Sequence, residues 1–133
     1  MVFQGMTDRA TSDSRAELLF AFRRRVRQTV LRELEREDHA AEHLRAEVLP
    51  KLRSAIAEAR ARAECGRAWL FGSFAWGQPT ERSDVDLLVE DCPSPDGLAG
   101  QLWSACGRPA HVIELRTAPE GLVARVLGEG IAL

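Results

Sequence analysis

Tyrosine is absent from this 133-residue chain, and lysine occurs once, at Lys51. No phenol of its own can therefore serve as an acceptor, and nearly all of its positive charge is arginine. The three cysteines, Cys65, Cys92 and Cys106, are odd in number and form no Cys-x-x-Cys pair. That pattern argues against a zinc site and for reduced thiols, as expected of a cytoplasmic protein. No apolar run approaches the ~20 residues that span a bilayer, and the first residues lack the pattern of a secretory leader. What is present is ordinary globular material, 45% apolar and 29% charged, at a length that predicts one core.

The formal charge of −2 conceals an asymmetry: residues 1–67 carry 14 basic side chains against 11 acidic, and residues 68–133 carry 4 against 9. A nucleic-acid binder more often places its basic excess on the working half. Here the later, motif-bearing half is acidic, which suits metal cations better than phosphate backbones. Neither a membrane nor a nucleic acid is the expected partner.

Residues 1–12 show no periodicity and read as a disordered terminus. Ser14, with Glu17 three residues on, makes a capping box. Leu18, Phe22, Val26, Val30 and Leu34 then recur at every fourth position, widened by Leu19 and Leu31, which predicts a helix over 14–34. Arg23, Arg24, Arg25 and Arg27 fall largely on its solvated side. After a lapse between Glu35 and Glu42, a second helix is expected over 41–65. Leu44, Val48, Leu49, Leu52 and Ile56 face inward, Pro50 kinks or restarts it, and Gly66 stops it.

From Ala68 the character changes. AWLF (68–71), VDLLV (85–89) and HVIEL (111–115) are strand-length apolar runs with turn residues nearby. Asp96 opens a helix that runs through Cys106, and a last helix covers 118–127. The order helix, helix, strand, strand, helix, strand, helix predicts an α+β fold, a small sheet backed by helices.

Two aspartates sit one residue apart at the mouth of the second strand, where side chains two apart share a side. Asp84 and Asp86 therefore project together, while Val85, Leu87 and Val89 face the core. Like charges so close repel and resist burial, unless a divalent cation lies between them. Hard carboxylate donors suit Mg2+, which substrate phosphates usually complete. Glu114, the only acid within the third strand, could complete a three-carboxylate site for two ions ~3.5–4 Å apart. His111 alternates away from Glu114, so a core or opposite-face role is expected for it. Gly72 directly follows the first strand and admits a close backbone approach, and Ser73 adds a hydroxyl beside free N–H groups, a cradle for phosphate.

The stretch GSFAWGQPTERSDVD resembles the Gly-Ser, ten residues, Asp-x-Asp signature of the DNA polymerase β-like nucleotidyltransferases. It looks most like their minimal nucleotidyltransferase (MNT) group, the antitoxins paired with HEPN-domain toxins. The resemblance runs from about Val48 to the end and takes in LFGS, SDVDLLV, the acid of VIEL and the closing RVLGEGIAL. It implies a nucleotidyltransferase fold with a mixed sheet over 46–133, preceded by a helical extension at 13–45. It also implies transfer of AMP from ATP, with Mg2+, to a hydroxyl, commonly a tyrosine of the HEPN toxin. By position Asp84, Asp86 and Glu114 would be the metal-binding and catalytic acids, and Gly72 and Ser73 the triphosphate cradle. Two departures stand out. Trp76 occupies a place where the family often has Arg, leaving Arg82 as a substitute phosphate contact or the indole as packing or a base stack. The third acid is Glu rather than Asp. The long N-terminal helix is expected to be an extra packing or partner-docking surface.

Three other readings compete. HAAEH (39–43) fits the His-x-x-Glu-His pattern of inverzincin proteases, but a charged helix face accounts for it as well. The fold could instead neutralise a partner by occlusion, without catalysis. A transferase acting on a small molecule would need more chain for an acceptor pocket.

Overall fold

A computed structural model describes residues 2–133, with side chains from residue 13 onward; the disordered terminus expected over 1–12 lies outside those side chains. The first element is a helix, α1 (Val2–Ala61). Ser14 lies inside it rather than capping it, and neither the polar stretch 35–42 nor Pro50 interrupts it. Of residues 35–42 only Ala41 is buried, yet Glu, Arg and Ala are strong helix formers, and propensity carries a helix across the stretch. Pro50 removes one backbone hydrogen bond, a cost of about 3 kcal/mol that the turns on either side offset.

The helix stops before Gly66. Ala63 takes the left-handed conformation at φ 55°, Glu64 N–H donates to Ala59 O at 2.9 Å, and Ala63 N–H donates to Arg60 O at 3.0 Å. These are the two bonds of a Schellman cap, with alanine where glycine is the usual occupant. The left-handed backbone costs an L-residue about 1–2 kcal/mol. Ala63→Gly is therefore expected to stabilise the protein by about 1 kcal/mol, read as a rise of several degrees in Tm.

The chain divides into two compact units, Met1–Glu37 and Asp38–Leu133. In the first, the expected apolar stripe is present but uncovered: Leu18 is 70% exposed, and Leu19, Phe22, Val26, Val30, Leu31 and Leu34 are also exposed.

The second unit holds a four-stranded sheet in the order β3-β2-β1-β4. The strands are β1 (Ala68–Phe71), β2 (Val85–Val89), β3 (Ala110–Glu114) and β4 (Ile131–Ala132). β1 runs antiparallel to both β2 and β4, and β2 and β3 are parallel. The parallel pair requires a crossover, supplied by α3 (Pro95–Cys106). A short α2 (Ser73–Trp76) follows β1, and α4 (Glu120–Glu129) precedes β4.

Alternation sorts the strand residues onto two apolar faces. Leu70, Val85, Leu87 and Val89 pack with Val48, Leu52, Ile56 and Ala59 of α1 and with Leu98 and Leu102 of α3. Phe71 and Leu88 pack with Val126, Leu122 and Val123 of α4. The sheet is thus covered on both faces, and the ends of its strands are left to carry function. All three cysteines are buried and free. Burial pushes each thiol above its ordinary range, consistent with packing residues rather than nucleophiles.

Candidate functional site

The register of β1 against β2 places the site. Phe71 pairs with Asp86, so β1 ends beside the second residue of β2, and the Gly72–Ser73 turn opens at the strand end that carries both aspartates. Gly72 has φ 74°, and a Cβ there would collide with the Asp86 carboxylate. Only glycine lets backbone and carboxylate come so close without strain. Ser73 then starts α2, whose first N–H groups lack intrahelical partners.

Two arginines hold this corner in shape. From α1, Arg45 donates to Phe74 O at 3.1 Å and to Gly77 O, tying down the carbonyl end of α2. Arg108 donates to Ser83 O at 3.0 Å and Thr80 O at 3.3 Å, and its guanidinium lies 5.0 Å from the centre of the Phe74 ring. Within the same loop, Thr80 N–H donates to Ser83 Oγ at 2.8 Å. The ten residues between Ser73 and Asp84 are therefore bound to the body of the unit.

His111 is the third member of the cluster. Parallel pairing sets Asp86 beside His111. The imidazole Nδ1 lies 3.3 Å from Asp86 Oδ1, and Nε2 lies 3.8 Å from Asp84 Oδ2. The side chain of Asp86 is 26% exposed, that of Asp84 39% and that of His111 65%. Asp86 has its carboxyl pushed above the ordinary range, chiefly by burial and further by the neighbouring Asp84 charge, with His111 pulling the other way. His111 does stand on the side of the sheet opposite Glu114, but its ring is exposed beside the aspartates rather than buried in a core. The two strands enter the sheet in step, so the second residue of β3 meets the second of β2. The observed strand starts one residue before the apolar run HVIEL, and that shift is what brings His111 level with Asp86.

The same register leaves Glu114 apart from the pair. Glu114 pairs with Val89, three residues farther along the strand, or about 10 Å at strand rise, and alternation turns it to the other side of the sheet. It lines a cavity of about 340 Å³ with Val89, Glu90, Asp91, Leu115 and Arg116, which includes neither aspartate. The expected three-carboxylate site is thus not assembled. Among the described residues no group of three or more His, Cys, Asp or Glu is gathered as a ready-made metal cage, and that includes His39 and His43.

Trp76 is packed rather than open. It joins Phe71 and Leu88 in the apolar layer under α4, and the Arg125 guanidinium lies 4.1 Å from its ring centre. Arg125 also donates from Nε to Glu129 at 3.0 Å. Arg82 is exposed, and its backbone N–H donates to Thr80 Oγ1 at 3.3 Å.

Comparison with known proteins identifies the family. The sequence profile of the family described as Polymerase beta, Nucleotidyltransferase matches residues 54–133, more than half of the chain. The chain belongs to the polymerase β nucleotidyltransferase family. A solved minimal nucleotidyltransferase shares 30% identity with it, at a TM-score of 0.55 over 70% of this chain and 95% of that one. A toxin–antitoxin crystal structure with AMP-PNP is similar at 24% identity and a TM-score of 0.50, over 59% of this chain and 69% of that one. A mutant of the toxin–antitoxin MntA-HpeT aligns at 27% identity and a TM-score of 0.49, over 61% and 69%. No curated protein matches.

Nucleotidyltransferase membership implies a nucleoside triphosphate and a divalent cation in general terms. The donor set present fits such a cation: two carboxylates on one side of a strand end, beside a turn that leaves room for a phosphate. Among the described residues no helix is long and apolar enough to cross a membrane.

Proposed function

We propose that the chain is a divalent-cation-dependent nucleotidyltransferase that moves AMP from ATP to a hydroxyl, a tyrosine of a HEPN toxin, and so acts as that toxin's antitoxin. The observation that carries the chemistry is the Phe71–Asp86 register, which sets the Gly72–Ser73 turn against the aspartate pair. The family match supports the reaction class, and fold similarity to a toxin–antitoxin structure with AMP-PNP supports the partner class. The uncovered apolar stripe of 14–34 offers a surface for that partner.

In this reading the N–H groups and hydroxyl at Gly72–Ser73 bind the triphosphate, and Asp84 and Asp86 would hold the divalent cation. When bound, the cation neutralises phosphate charge and polarises the α-phosphate. Asp86 accepts the proton of the acceptor hydroxyl. The oxygen bonds to the α-phosphorus, the bond from that phosphorus to the bridging oxygen breaks, and pyrophosphate leaves. Positioning and charge neutralisation supply most of the acceleration. Glu114 has no part in this step, because it stands at the far end of the sheet.

A second reading, neutralisation by occlusion, draws on the same fact that no third carboxylate joins the aspartates. Incubation with α-labelled ATP, Mg2+ and the cognate toxin separates the two. Label is expected on the toxin and none on this chain, which has no tyrosine. A toxin that stays unlabelled yet is silenced equally by Asp84→Asn and Asp86→Asn variants would overturn the transferase reading.

A further inference from the structure

We infer that His111 is a ligand of the cation at this site, making it an Asp-Asp-His centre that favours a divalent transition cation over Mg2+. The inference rests on the proposal that Asp84 and Asp86 hold a cation, and adds the identity of the third donor and its consequence. Three observations carry it. The parallel register fixes His111 opposite Asp86, so its position is set by backbone pairing rather than by a chance rotamer. The imidazole nitrogens lie 3.3 Å and 3.8 Å from the two carboxylates. Adjacent ligands on an octahedral ion with bonds near 2.1 Å stand about 3 Å apart, so Nδ1 and Asp86 Oδ1 are already close to that spacing. Glu114, the one other candidate, is kept away by the same register.

The trio is not a finished cage. Nδ1 faces Asp86 and Nε2 faces Asp84, so the ring must reorient to give one nitrogen to an ion shared by both acids, and its 65% exposure leaves room for that turn.

Donor chemistry then sets the preference. Mg2+ favours oxygen donors and gives up water reluctantly. Imidazole suits first-row transition ions, whose affinity for nitrogen-containing sites rises from Mn2+ onward. An all-carboxylate site would suit Mg2+, whereas a site with one imidazole shifts the balance to Mn2+ and its neighbours in the series.

The test uses the full chain and Mn2+, with and without AMP-PNP. Pulsed EPR is expected to show 14N coupling on bound Mn2+, lost in His111→Ala. His111→Asp is expected to keep Mn2+ binding, lack the nitrogen coupling, and shift Mg2+/Mn2+ competition at least tenfold toward Mg2+. Thermal melts confirm that the variants fold; His111 is exposed and removes no core contact. Bound Mn2+ without nitrogen coupling in the wild type, or a Mg2+/Mn2+ ratio unmoved in both variants, would overturn the inference while the aspartate site stands. No Mn2+ uptake by the wild type, or uptake equal in Asp84→Asn and Asp86→Asn, would sink the aspartate site itself and this inference with it.

Discussion

Asp86→Asn is expected to lower nucleotidyl transfer by at least about a thousandfold, equivalent to about 4 kcal/mol of transition-state stabilisation, while raising thermal stability in the absence of a divalent cation. The two effects have one cause. Burial and the Asp84 charge make the ionised Asp86 costly in the folded state, more than His111 offsets, so its folded pKa lies above the unfolded one. The native state therefore binds that proton more tightly than the unfolded state does. Stability falls as pH rises from the unfolded pKa through the folded pKa, and the whole penalty persists above that window. Asparagine removes it. Melting curves with and without Mg2+ check both halves. The stability gap between variant and wild type should be widest at neutral pH and close as the pH falls below the ordinary aspartate range. Added Mg2+ should stabilise the wild type and leave the variant unchanged. A variant less stable than the wild type at pH 7 would contradict the account of why the carboxylates are strained.

Gly72→Ala is expected to cost both stability and transfer. It meets two penalties at once: a left-handed backbone, worth about 1–2 kcal/mol, and overlap of the new Cβ with the Asp86 carboxylate. A loss of at least about 2 kcal/mol in denaturant unfolding is expected, with transfer reduced by at least about a hundredfold as Asp86 is displaced. Gly107→Ala is the control. Gly107 also has a positive φ, 71°, but a Cβ there would touch nothing within 4 Å. It should show the backbone cost alone and keep full transfer, so the difference between the two variants isolates the contact at the site.

The parts of the fold legible in the sequence were those in which one residue pattern serves one purpose. In VDLLV only Asp86 escapes full burial, because both sides of β2 meet apolar layers and the site lies where the strand begins. The helix after Pro93 was legible from its punctuation, although Ser94 rather than Asp96 caps it, through Gly97 N–H at 3.2 Å. β4 was missed, since its two residues are too few to display alternation. The division of the N-terminal region into two helices failed for the opposite reason: a break in the apolar stripe at 35–42 was taken for a break in the helix. Apolar periodicity marks a face that can be covered, not the extent of the helix, and a helix that buries nothing still forms if its residues favour it.

At the site, the Gly-Ser turn and the aspartate pair were visible because their spacing is local. The third donor was not, because it depends on the register of two strands joined by a crossover. Residue type favoured Glu114; geometry favours His111, three residues before the acid. The same logic explains Trp76, whose surroundings come from α4 at the other end of the sequence and could not be seen from its own motif.

The enclosed thiols have a practical consequence. Cys65 lies in the turn after α1, Cys92 between β2 and α3, and Cys106 at the last turn of α3. Each is sealed and held protonated, so an alkylating reagent reaches it only when its own part of the structure opens. Stepwise mass gain, mapped by peptide, thus becomes a native clock for local opening at three addresses, with no engineered probe.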